Sequence, residues 1–228
     1  MRRILIGLSG AIAMLLGTVN AFANDGFGIG VRLGHVNLDA TGSEVEGGES
    51  TSKSINRSFP MGSIFAEFTK GAFTIGIDHV PFKANVSGST LTRTDTETSG
   101  AHGATIVATS VTQNQAAQAR ILDHNTYYVE MGSKAYVKAG YTKITVETQE
   151  SLGTGSTYGD ADLNGILVGL GVKGDWGNHG FYKIEGTYTD YDTLNVTSGV
   201  ARAGVSTNNK ISADLDTVAA NILMGYKF

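Results

Sequence analysis

Cysteine is absent from the 228 residues. That excludes a disulfide scaffold, a thiolate metal centre and a lipoprotein anchor. Proline occurs only at Pro60 and Pro81. Charged residues make up 17% and the formal net charge is -4, so the chain has no basic excess with which to hold nucleic acid. After residue 24 no apolar run approaches the roughly 20 residues that a membrane helix needs. Helix-favouring composition is also thin, whereas glycine is plentiful at 31 residues. A mean hydropathy of -0.04 suits a soluble protein. It equally suits a transmembrane barrel, whose strands alternate apolar with polar residues.

The first residues read as an address. Met1-Arg2-Arg3 is basic, and Ile4–Leu16 is apolar but too short to cross ~30 Å of hydrocarbon as a helix. Ala21-Phe22-Ala23 then stands before Asn24-Asp25 as a small-residue cleavage site. The expectation is a secretory signal peptide over 1–23, Sec-type export, and a mature domain over 24–228. An uncleaved anchor helix is the alternative, and length argues against it. With no long apolar run left, a mature chain that spans a membrane must do so as a closed barrel.

Period-2 alternation marks eight strands: Phe27–Leu38, Phe59–Phe68, Ala72–Phe82, His124–Met131, Ala135–Val146, Ala161–Lys173, Phe181–Tyr191 and Asp214–Phe228. The last is clearest. Val218, Ala220, Ile222, Met224, Tyr226 and Phe228 share one face; Thr217, Ala219, Asn221, Leu223, Gly225 and Lys227 share the other. The connections contain 20, 3, 41, 3, 14, 7 and 22 residues in order, so long and short alternate strictly. Three-residue links such as Thr69-Lys70-Gly71 join antiparallel neighbours. An even strand number puts both termini at the short-turn end. The expected fold is therefore all-β: an eight-stranded antiparallel up-and-down transmembrane β-barrel, with long outer loops and short periplasmic turns. A secreted β-sandwich would also alternate, but it has no reason to sort its loops by length.

The long connections are polar. Thr41–Ser58 and Lys83–Asp123 read as mobile surface. Ile106–Val111 could pair near Val86–Asp95, and such a hairpin belongs above the membrane, since its faces are too polar for lipid. A ten-stranded barrel is the lesser alternative. Aromatic residues cluster near segment ends, where interface girdles lie. Pro60 and Pro81 flank the Thr69–Gly71 turn almost symmetrically, which places both at the outer rim, where losing a ladder hydrogen bond matters least.

With the apolar faces toward lipid, the opposite faces carry Arg32, Lys138, Lys183 and Lys227 together with Glu67, Asp78, Glu130 and Glu185. Four charges of each sign can pair inside, whereas on the lipid face each Lys or Arg would cost ~2–4 kcal/mol at mid-membrane. An eight-stranded barrel is only wide enough for side chains to fill, so a polar, plugged interior is expected. A narrow gated path through the network is the alternative.

The signal segment, the amphipathic strands, the sorted connections and the terminal Met224-Gly225-Tyr226-Lys227-Phe228 together resemble the OmpA/OmpX-type small outer-membrane barrels. Tyr226 and Phe228 look like the signal read by the barrel-assembly machinery. The resemblance implies an outer-membrane location, contact with lipid and lipopolysaccharide, and handling by the assembly machinery and periplasmic chaperones. It also implies a structural or surface-interaction role, adhesive or protective, toward an unknown surface ligand. It brings no catalytic residue.

Other motifs add little. Asp160-Ala161-Asp162-Leu163-Asn164-Gly165 matches the opening of a calcium loop, but the twelfth position is Gly171 rather than Glu. Gly26, Gly28 and Gly30 precede no helix, so they are not a nucleotide fingerprint. Asp78–His79 and Asp123–His124 are strand neighbours that point to opposite faces and cannot be simple dyads. No catalytic residue, metal site or cofactor is expected. A narrow passive channel and, behind it, a lipid-A-modifying barrel enzyme remain the rival functions.

Overall fold

The computed structural model describes residues 25–46, 49–86, 91–99, 107–151, 158–198 and 210–228. The expected signal peptide lies outside the described residues. Among the described residues there are eleven strands: β1 (Gly26–Glu46), β2 (Glu49–Lys70), β3 (Phe73–Val80), β4 (Ala84–Asn85), β5 (Leu91–Ser99), β6 (Val107–Gly132), β7 (Ala135–Ser151), β8 (Ala161–Trp176), β9 (Gly180–Tyr191), β10 (Leu194–Thr197) and β11 (Lys210–Lys227). Eight of them, β1, β2, β3, β6, β7, β8, β9 and β11, pair antiparallel in a ring, closed by β11 against β1 from Gly28–Lys227 to Val45–Lys210. A closed ring has no unpaired edge, which is what a sheet needs in hydrocarbon. This is the eight-stranded antiparallel barrel that the alternation and the loop lengths predict. Two short turns use left-handed glycines, Gly71 at φ 61° and Gly177 at φ 62°.

Outside the ring runs an apolar belt. Phe27, Ile29, Val31 and Leu33 of β1, Phe73, Ile75 and Ile77 of β3, and Val218, Ile222 and Met224 of β11 are all exposed. Leu33 is 68% and Ile166 60% exposed, which makes sense where the surrounding solvent is lipid. Near the short turns the belt ends in aromatics, with Trp176 stacked on Tyr182 and Phe27 beside Phe228. Toward the other end the outward positions turn polar, at His35, His79, Asn125, Lys143, Asn164, Asp190 and Asp216.

The strands outrun the segments read from sequence. β1 and β2 stay paired out to Glu46–Glu49, so Thr41–Ser58 is largely a strand hairpin rather than a surface loop. β6 begins at Val107 and β7 continues to Ser151. Beyond the membrane the outward face meets water, and there it carries Asn37, Asp39, Thr41, Ser54, Asn56 and Ser58. The Asn37 amide bonds Asn56 and Ser58 across the hairpin, and Thr41 bonds Ser54. A water-facing strand has the composition of a loop, which is why it reads as one. Within the 41-residue connection β4 pairs with β6, and β5 pairs with β6 from Leu91–Gln115 to Ser99–Val107. The hairpin therefore exists, with its first strand a few residues later than Val86–Asp95, and it leaves the barrel at eight strands.

Candidate functional site

At membrane level the lumen is filled by charge. Arg32 donates from Nη2 to Asp78 Oδ1 at 2.8 Å and from Nε to Ser63 Oγ at 2.9 Å, while Ser63 donates to Asp78 Oδ2 at 2.8 Å. Lys138 donates to both oxygens of Glu185, at 3.1 and 3.0 Å, and the Tyr136 hydroxyl donates to Glu185 at 2.8 Å. Lys183 bridges Glu67 and both oxygens of Glu130, and the Tyr128 hydroxyl donates to Glu67 at 2.8 Å. The Lys138 ammonium lies 4.0 Å from the centre of the Tyr128 ring and 3.7 Å from Glu130. Seven of the eight expected interior residues are thus buried and paired: Arg32 with Asp78, and Glu67, Glu130, Lys138, Lys183 and Glu185 in one connected network.

Lys227 lies apart. It sits at the short-turn rim, half-buried and paired with Asp175 at 2.9 Å. Lys173 takes its place at the edge of the network, 3.9 Å from Glu130. Arg32, Lys138, Lys173 and Lys183 then balance Glu67, Asp78, Glu130 and Glu185, and this neutrality lets so many ions share a low-dielectric space. Ser63, Tyr128, Tyr136 and Lys173 were not singled out from the sequence. The signal was there, because each lies on the inward register beside a residue that was. Inward glycines make room for the rings: a Cβ at Gly171 would lie 2.6 Å from the Tyr136 ring, and one at Gly76 would overlap Tyr128.

Above the Arg32–Asp78 pair the interior changes character. Inward positions become Leu38, Ile121, Ile144, Val146, Leu163, Tyr191, Leu194, Val196 and Leu215, all buried in one cluster. A polar interior was expected throughout. The alternation keeps its period, but once a strand leaves the membrane its outer face meets water, so its apolar residues turn inward. Between the two zones lies a small cavity, about 40 Å³, lined among others by Arg32, Phe59, Met61, Phe82, Leu167 and Ala219.

The wall beside this cavity is interrupted. Pairing of β2 with β3 stops at Ile64–His79, although β2 continues against β1. Among the described residues, β4 pairs with β6 alone. Pro60 and Pro81 stand just past the last pair, and neither has an N–H to extend the ladder. Across the way, β6 shifts register between Leu122 and Asn125, with Asp123 at φ 48°. The chamber is therefore flanked by a seam in the barrel wall.

The remaining sequence candidates separate. Asp78 faces the lumen, while His79 bonds Asn125 on the outside at 2.9 Å. Asp162, from the calcium-like run, is an outward residue beyond the belt. It accepts from the Thr145 hydroxyl at 2.7 Å and pairs with Lys143 at 3.0 Å. These two partners, Thr145 first, hold its carboxyl below the usual carboxylate range, and Asp162 in turn raises Lys143. Tyr226 and Phe228 face lipid with rings 5.3 Å apart, and the Phe228 N–H donates to Phe27 at 2.9 Å.

A closed antiparallel ring of eight strands, apolar outside and ion-paired within, defines a bacterial outer-membrane β-barrel. Comparison with solved structures agrees with that class. The chain is similar to the outer membrane protein OprG from Pseudomonas aeruginosa, with a TM-score of 0.57 at 13% identity over 90% of this chain and 96% of that one. Weaker similarity links it to the outer membrane protease OmpT from Escherichia coli, at a TM-score of 0.43, 8% identity and 93% and 99% coverage. Neisserial surface protein A gives a TM-score of 0.41 at 8% identity, with 88% and 97% coverage. At these identities the likeness is one of fold. It stands at the level of outer-membrane barrels as a class rather than of OmpA/OmpX in particular. No family model matches the chain, and no curated protein matches it in sequence.

Proposed function

We propose that this barrel is closed to ions across the membrane and takes small apolar molecules into its outer chamber, releasing them sideways into lipid. The supporting observation is a coincidence of place: the lumen turns from charged to apolar where the β2–β3 ladder stops. An apolar solute gains nothing by entering the ion-paired lumen below, whose groups would lose their partners. The seam offers a route that avoids it. The cavity is small as it stands, so a ligand takes the room of Phe59, Met61 or Phe82, whose side chains line it. The reading assigns the protein no catalysis.

Export through the segment 1–23, and delivery by chaperones to the assembly machinery through Tyr226 and Phe228, belong to the same proposal. The experiment is uptake of a small apolar dye by cells with and without the protein, beside the variant Ala219→Leu, which fills the chamber without adding charge. Faster uptake that Ala219→Leu abolishes is the expected result. Equal uptake in all three strains refutes it.

A second reading, a structural or surface-interaction role, is favoured by a separate observation. Paired strands continue well beyond the apolar belt, and β5 and β6 pair as a further hairpin. Adhesion that survives Ala219→Leu but is lost with the hairpin would assign the function there.

A further inference from the structure

The opposite mouth of the barrel holds a second, larger cavity of about 430 Å³. We propose that this vestibule, at the short-turn end, binds a small phosphate-type oxyanion of two or more charges, held chiefly by Lys173 with Lys134 and Lys227. Its lining carries Lys134, Lys173, Lys183 and Lys227 against only Glu67 and Asp175. The chain as a whole is acidic, at net charge -4, so this cationic excess is a local arrangement and not a reflection of composition. A concave wall of low dielectric focuses such a field.

The lysines are not equivalent. Lys183 also lines the vestibule but is committed to Glu67 and Glu130. Lys227 is paired with Asp175 and lies 5.3 Å from the Phe181 ring centre. The carboxylate in ion-pair range of Lys173 is Glu130 at 3.9 Å, and its ammonium stands 5.3 Å from the centre of the Tyr136 ring. Glu130 is already taken by Lys183 at 2.8 Å, so Lys173 is held less closely at 3.9 Å than Lys227 is by Asp175 at 2.9 Å. Ammonium groups act as point charges toward phosphate, and a cavity of this size takes a molecule at the small end of ordinary ligands. Phosphate chemistry reaches this mouth from two sources, soluble phosphate compounds in the periplasm and phospholipid headgroups at the rim.

The chain provides its own reporter. Trp176 is its only tryptophan, and it stacks on Tyr182, whose side chain lines the vestibule. Pyrophosphate is titrated into the folded protein in zwitterionic detergent at constant ionic strength, with sodium chloride as control and Trp176 fluorescence as readout. A saturable change with Kd below ~1 mM is expected. Lys173→Gln weakens it at least ~10-fold, the effect of one charge-assisted contact. Lys134→Gln, at an exposed turn, weakens it less, and Lys143→Gln, at the other end, leaves it unchanged. Heat-modifiability confirms that each variant is folded, and Lys134→Gln carries the test if Lys173→Gln does not assemble. A change that chloride reproduces, or a saturable one that neither vestibule variant weakens, overturns the proposal. Repeating the titration in nanodiscs names the source. Competition by phosphatidylglycerol but not phosphatidylcholine supports a headgroup as the natural ligand, and unchanged affinity supports a soluble one.

Discussion

Lys183→Met tests whether the lumen is a dry, balanced ion network. Lys183 is 1% exposed and serves two buried carboxylates. Without it, Glu67 keeps the Tyr128 hydroxyl, and Glu130 keeps Lys138 at 3.7 Å and Lys173 at 3.9 Å. The lumen moves from neutral to one net negative charge. Removing one partner of a buried pair costs ~3–5 kcal/mol, because the other charge stays buried without compensation. The residual partners place this case near ~3 kcal/mol. Methionine keeps most of the volume, so little of the loss comes from packing. Adding Glu67→Gln restores neutrality, and ~1.5–2 kcal/mol should return, the low end of what a hydrogen bond to a charged group is worth. The assay is urea unfolding in lipid bilayers followed by Trp176 fluorescence, with both single variants and the double. A cost below ~1 kcal/mol, with no coupling to Glu67→Gln, is what solvated pairs give. That result would mean a wet lumen and would refute the plug.

Three further expectations follow from the two faces and the two ends. Val168 faces outward between Ala139 and Tyr188, so Val168→Arg should cost ~2–4 kcal/mol near mid-membrane in the same assay; a negligible cost would remove that face from lipid. Deleting 92–118 should leave a heat-modifiable barrel, since among the described residues β5 pairs with β6 alone and loop length costs little; loss of assembly would show that the hairpin supports the wall. The Asp162 carboxyl should titrate below the usual carboxylate range by NMR, and Lys143→Met and Thr145→Val should each raise it. Its contribution to stability is then complete above the unfolded value and fades as pH falls through the lower folded one. A titration unmoved by either variant would contradict the pairing.

The sequence by itself determined the barrel. Alternation from Val218 to Phe228, and connections sorted by length, required strands paired in order with an even count. A sheet that spans hydrocarbon must close on itself, so for a membrane protein these strands implied a ring. The inward set also followed, because Arg32, Glu130, Lys138 and Lys183 share a register that lipid would punish. Three things were left to the tertiary structure. One was the partner of each charge. Lys173 and Lys227 both lie on inward registers, and only strand tilt and stagger decide which reaches Glu130 and which reaches Asp175. Another was the reach of the strands past the membrane, since Thr41–Ser58 loses the apolar contrast once water replaces lipid outside. The last was the meaning of an apolar position, which points out in the belt, as Leu33 does, and in above it, as Leu38 does. Period 2 fixes which residues share a face, but the solvent on each side fixes which face is apolar, and that boundary exists only in the folded barrel.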